Sequence, residues 1–200
     1  MARRRPPRCR RRSRACAWRA ACLLETTTDT WGQALAISQL GARARRLKFE
    51  EAEPILLRAA DLARRTGERY MIGSCLPKLG NLYLEQGDHA AAEPLYREAL
   101  AAFREIHELW WTGRCMQFLA LVSYGRGDPQ RSACLLGGSD AVLESGGARR
   151  IPSEESQHAE LSRRLRIALG EAAFEVASAE GRAMTLAQAV ADALDGQPSA

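Results

Sequence analysis

Apolar residues in the middle of the chain return at spacings of three and four. Leu76, Leu79 and Tyr83 fall on one face of a predicted helix, and Leu95, Ala99 and Phe103 on one face of the next. Gly87-Asp88 separates the two runs. A glycine there can take the left-handed backbone that ends a helix, and the aspartate can cap the helix that follows. The pattern therefore predicts two antiparallel helices. Gly80 and Ala92 are the small residues at their closest approach, and Tyr83 and Tyr96 are the large ones beside them. Pro77 lies inside the first helix and should kink or shorten it. The bend is the better reading, because a helix starting at Leu76 would waste Tyr70–Cys75.

This arrangement recurs along the chain. Glu53-Pro54 returns as Glu93-Pro94, and Gly87-Asp88 as Gly127-Asp128, both forty residues on. The third copy keeps Met116, Leu119, Leu136 and Ser139 in matching slots, with Ala120 for the glycine and Ser123 for the tyrosine. The first copy is one residue shorter between Leu40 and Ala52, and has Lys48-Phe49 where Gly-Asp would stand. Three units are predicted, residues 30–68, 69–108 and 109–147. No unit of two helices can bury its apolar face alone, so the units must stack. The slots held by Gly80, Tyr83, Gly87, Ala92, Tyr96 and Ala99 resemble the tetratricopeptide repeat (TPR), in a version of about 40 residues. The resemblance implies an all-α, right-handed solenoid of about three helical hairpins.

A different text follows the repeats. Gly146-Gly147 and Pro152 break the pattern; Ser153 can cap a helix over residues 154–169. A short helix is predicted over Glu171–Glu180, stopped by Gly181, and Thr185…Gln188 reads as a capping box opening a last helix to about Leu194. Residues 148–200 are thus expected to form a helical cap with a frayed end. Leu135-Leu136-Gly137-Gly138-Ser139-Asp140, Leu169-Gly170-Glu171-Ala172-Ala173-Phe174 and Glu180-Gly181-Arg182-Ala183-Met184-Thr185-Leu186 resemble the closing segment of bacterial signal-transduction ATPases of the STAND class, many of them LuxR-type transcriptional regulators. In that family a nucleotide-binding domain precedes the TPR-like region. Neither Lys48 nor Lys78 stands in a phosphate-loop context, and no helix-turn-helix remains once the repeats are assigned. The resemblance then implies a detached sensor or scaffold half, or a fragment of a regulator.

Charge changes the picture only at one end. Met1–Ala20 carries nine arginines and no acid; the rest has 20 basic against 24 acidic residues and is mildly acidic. Residues 1–29 read as a disordered basic arm. Nucleic-acid binding through it is the less favoured reading, since only Trp18 accompanies the arginines. Ala15–Leu24 is interrupted by Arg19 and makes no convincing signal peptide, and no apolar run reaches a membrane span. A cytoplasmic place is expected. The preference for arginine, 27 against two lysines, fits a GC-rich bacterial genome.

Chemistry is sparse. Cys75 and Cys115 occupy the same slot forty residues apart and read as small core residues, and Cys9, Cys16 and Cys22 suit no zinc spacing. His89, His107 and His158 are scattered; His89 reads as packing, and His158 beside Glu154 and Glu155 as a solvated face. No catalytic, metal or cofactor set is legible, so a non-enzymatic module is expected. Of Trp110-Trp111, one should face the core and the other be exposed. The first helix of each unit should line a concave groove, with Arg45, Asn81, Glu85, Arg114, Gln117 and Tyr124 as candidate ligand contacts. Their amide and guanidinium donors suit an extended peptide or a carboxylate. The expected partner is a protein or peptide, with a small inducer as an alternative. Self-association through an unfinished N-terminal repeat, Trp31–Phe49, and a remnant without function are the competing readings.

Overall fold

The computed structural model describes residues 30–44 and 49–195. Nine helices are seen among them and no strand: α1 (Thr30–Ala44), α2 (Phe49–Thr66), α3 (Arg69–Glu85), α4 (His89–Glu105), α5 (Leu109–Gly125), α6 (Pro129–Ser145), α7 (Pro152–Leu169), α8 (Glu171–Ala183) and α9 (Leu186–Asp195). The first six pair as α1 with α2, α3 with α4 and α5 with α6, and the pairs stack in chain order. The protein is an all-α helical-repeat solenoid.

The helices α3 to α6 each have 17 residues and are joined by three. The left-handed residue of each joint falls every twenty positions: Gly67 (φ 69°), Gly87 (77°), His107 (56°), Gly127 (84°) and Gly147 (62°). Behind Gly87 the Asp88 amide reaches back to the Tyr83 carbonyl at 3.0 Å, and the same bond recurs from Glu108 to Phe103 and from Asp128 to Ser123. This closure satisfies carbonyls that the helix end would otherwise leave open. Asp88 and Asp128 then cap α4 and α6 through the amides of Ala91 (3.0 Å) and Arg131 (2.9 Å). The helices that begin each pair, α3 and α5, follow Glu68 and Glu108, which make no side-chain cap.

Small-against-large contacts hold each pair. A methyl at Gly80 would lie 2.9 Å from the Tyr96 ring, and one at Gly73 2.5 Å from Phe103. Burying a residue such as Leu76 or Phe103 contributes about 2–3 kcal/mol, against about 1 kcal/mol for a cap. Packing therefore decides that the pair forms, and the aspartate decides only where its second helix starts. Between pairs, Tyr96 stacks on Phe118 at 5.0 Å and Phe103 on Trp111 at 5.1 Å. His89 packs its ring against Gly125, where a Cβ would collide with it. Pro77 does not shorten α3, which runs unbroken from Arg69 to Glu85 with the proline buried in it.

The cap departs from the repeat. Its helix α8 lies along α6 so closely that the backbones touch. A Cβ at Gly181 would run into the Cys134 carbonyl, and one at Gly137 into the Ser178 carbonyl. Gly181 therefore does not stop a helix at Glu180, as the sequence suggested; α8 continues through it to Ala183, because the glycine serves the approach. Nor does Ser153 cap α7. Ile151 is the capping residue, without a side-chain bond, and Pro152 opens the helix, where its fixed φ and missing N–H suit the first turn. The capping box at α9 is present, with Gln188 accepting from the Thr185 amide (2.9 Å) and the Gln188 amide donating to the Thr185 hydroxyl (3.3 Å). Helix α9 returns over α4, α5 and α6, and Arg131 donates to the Asp192 carbonyl at 2.5 Å. Among the described residues no helix is long and apolar enough to cross a membrane.

Candidate ligand groove

The first helices of successive pairs, α1, α3 and α5, lie side by side on one face of the stack. Helical spacing puts Lys78, Asn81 and Glu85 on one side of α3. The row leads into a pocket of about 200 Å³ between α3, α5 and the start of α7, lined by Asn81, Glu85, Arg114, Phe118, Ser153 and Glu154 among others. The Asn81 side-chain carbonyl accepts from the Tyr96 hydroxyl at 2.7 Å, which leaves its NH₂ as the group to offer. Glu85 is exposed at the rim.

Arg114 is the centre of this pocket. Its guanidinium sits 4.6 Å from the Trp110 ring, 4.5 Å from Trp111 and 5.7 Å from Phe118, and pairs with Glu154 of α7. Three aromatic faces fix a cation strongly when water is excluded. Trp111 packs against the core, as expected of one of the two, whereas Trp110 is half-buried in place of the exposed position expected of the other; its ring nitrogen donates to the Arg149 carbonyl at 3.1 Å. Glu154 is almost wholly buried, and its carboxyl pKa is raised because desolvation outweighs the attraction of Arg114. Burial also lowers the Arg114 pKa against the pull of Glu154.

Of the six residues the sequence singled out, Asn81, Glu85 and Arg114 meet at this pocket. Gln117 does not line it. It is buried at 2 % exposure beneath the start of α7, where its NH₂ donates to the Glu154 carbonyl (3.2 Å) and its carbonyl accepts from Arg150 (2.7 Å). Tyr124 is half-buried and outside the pocket lining, while Arg45 lies outside the described residues, as do the side chains of Trp31 and Phe49. The solvated face expected at His158 is also corrected. His158 lies 3.0 Å from Asp140 of α6, Glu154 is buried, and only Glu155 is exposed. Asp140 also meets Arg150 (2.7 Å) and Arg182 (3.4 Å). Burial pushes its pKa up, but His158 and Arg150 together pull further and hold it below the usual value.

Lys78 and the α7 contacts were missed. Lys78 donates to the Ser38 hydroxyl at 3.0 Å, and its pKa is lowered, chiefly by burial and further by the charge of Arg114. A serine beside a lysine of lowered pKa resembles a nucleophile with its base, but Ser38 is wholly buried and gives its proton to the Leu35 carbonyl (2.8 Å). Its rarity in this chain was the only sequence signal for Lys78. None existed for Glu154, whose burial depends on how α7 folds back. Cys75 and Cys115 are buried as expected, and desolvation pushes the Cys115 thiol to about 12. Among the described residues no group of three or more potential ligands could hold a metal.

No curated protein and no solved structure matches the chain. The family model described as "Tetratricopeptide repeat" matches it twice, over residues 32–105 and, overlapping, over 75–137. Together the two placements span more than half of the 200 residues, over the paired helices and their left-handed joints, and the chain belongs to the tetratricopeptide repeat family.

Proposed function

We propose that the chain is a non-catalytic protein-interaction module that holds an extended segment of a partner on the face formed by α3 and α5. The observation that carries this reading is the row of Lys78, Asn81 and Glu85 running into the Arg114 pocket. Cation, amide donor, carboxylate and cation follow one another along it, which suits the backbone and charged side chains of a peptide. The pocket of about 200 Å³ is smaller than the roughly 300–1,000 Å³ of ordinary small-molecule sites, so a peptide side chain fits it better than a small inducer.

The resemblance of the tail supports a finer reading. The module serves a cytoplasmic bacterial regulator of the STAND class, and the bound segment favours one curvature of the solenoid, which a coupled domain reads. The test is cross-linking and capture of partners from the source cells with the wild type, with Lys78→Glu/Asn81→Arg, and with Arg104→Glu on the exposed end of α4. Partners lost with the first variant and kept with the second support the groove. Partners kept with both, or lost equally with both, overturn it.

A further inference from the structure

The approach to α7 is held like a bound peptide. Ile151 is extended (φ −73°, ψ 156°). On one side of it Trp110 donates to the Arg149 carbonyl, and Arg150 reaches Gln117 (2.7 Å), Ser139 (3.0 Å) and Asp140 (2.7 Å). On the other side Gln117 donates to the Glu154 carbonyl and Arg114 takes the Glu154 carboxylate. Two backbone carbonyls are captured by side-chain donors and two charged side chains are read, which is how a groove holds a foreign segment.

No buried apolar side chain anchors this stretch. Ile151, Pro152, Ser153, Glu155, Ser156 and Gln157 are exposed, and the first buried apolar residue of α7 is Leu161. The Glu154 carboxylate is buried with Arg114 and the Ile151 amide as its support, and the Arg114 Nε makes no hydrogen bond. A buried ion pair left partly unsatisfied contributes little net stability. From Leu161 and Leu165 onward, by contrast, α7 is docked by buried leucines. The stretch before them can therefore peel away while the rest of the cap stays in place.

We infer that residues Arg149–Glu154 are an internal ligand of the Arg114 pocket, displaced by a partner's segment that is likewise extended up to a helix start and carries a cation just before that start and a carboxylate in the first helical turn, four residues on. This rests on the groove reading above and names its partner chemistry. A groove occupied in cis binds in trans with an affinity reduced by the fraction of molecules that stand open.

The probe is a labelled synthetic peptide of residues 148–158, titrated onto the full chain. The expected result is weak binding to the wild type and at least about tenfold tighter binding to Arg150→Ala/Glu154→Ala, whose own segment no longer competes. Adding Arg114→Ala to that variant should abolish the gain. Hydrogen exchange on the wild type supplies a readout independent of any variant's folding: amides 153–158 should exchange faster than amides 161–169. Equal peptide affinity for wild type and double variant, or amides 153–158 as protected as 161–169, overturns the inference. Loss of partners with Lys78→Glu/Asn81→Arg alongside such a result would leave the groove reading standing and remove only the competition.

Discussion

His107 holds a backbone conformation that glycine holds at every equivalent joint. Its φ of 56° falls where Gly67, Gly87, Gly127 and Gly147 recur, and its side chain is exposed. An L-residue there costs about 1–2 kcal/mol, partly offset by the greater freedom glycine loses on folding. His107→Gly should therefore raise stability by about 1 kcal/mol, read as a higher denaturant midpoint at unchanged slope. Cys75 and Cys115 make a second prediction at this scale. Both are buried, with the Cys115 thiol pushed to about 12, so native protein should leave them unmodified by a thiol reagent that labels them once unfolded. Mass spectrometry of the labelled peptides reads the difference.

Glu154 and Asp140 should respond to acid in opposite directions. Glu154 has a raised pKa in the fold, so its native state binds the proton more readily than the unfolded chain does. Wild type should thus lose stability relative to Glu154→Gln as pH rises from about 4.5 through the folded value, and regain it as pH falls back. Asp140 is lowered, so its contribution is present above the ordinary value and lost as pH falls through the folded one. Asp140→Asn should flatten that acid limb. Denaturant titrations at several pH values check both signs.

At the scale of elements, the helices and their joints were legible because the signals are local. Leu79, Gly80 and Tyr83 on one helix and Gly87-Asp88 after it specify a turn, a cap and a face without reference to distant chain. The cap helices were also readable, but Gly181 was misread as a stop. Its meaning depends on the Cys134 carbonyl of α6, and no local pattern announces a backbone contact across 47 positions. The lining of the candidate pocket was half legible for the same reason. Asn81, Glu85 and Arg114 follow from helical spacing, whereas the burial of Gln117 depends on the return of α7. Gly137→Ala or Gly181→Ala should cost about 3 kcal/mol by overpacking and raise exchange in α8 more than in α3, measured by amide exchange. If α3 and α8 loosen equally, the seam is not a separate element.

For the whole molecule, the cap is part of the fold's electrostatics as well as of its packing. Arg114 and Asp140 depend on Glu154, Arg150, His158 and Arg182 for their partners. A chain ending at Gly147 would uncover the glycine seam on α6 and leave Arg114 and Asp140 without these partners. That truncation should unfold at lower denaturant and associate at concentrations where the full chain does not, as light scattering after gel filtration would show.

The twenty-residue beat of the joints bears on how such a chain can change in length. Glu68 and Glu108 precede α3 and α5 with similar extended-side backbones (φ −74°, ψ 116° and φ −84°, ψ 89°). An unequal exchange between the two repeats would join Glu68 directly to Leu109 in one product, deleting residues 69–108, and Glu108 to Arg69 in the other, duplicating them, and either new peptide would follow a glutamate of similar backbone conformation. What recombination would alter is the set of ring stacks, Tyr96 on Phe118 and Phe103 on Trp111, that make these particular neighbours fit each other. Copy number is thus open to drift at the joints, and the aromatic pairs are what hold it to this order.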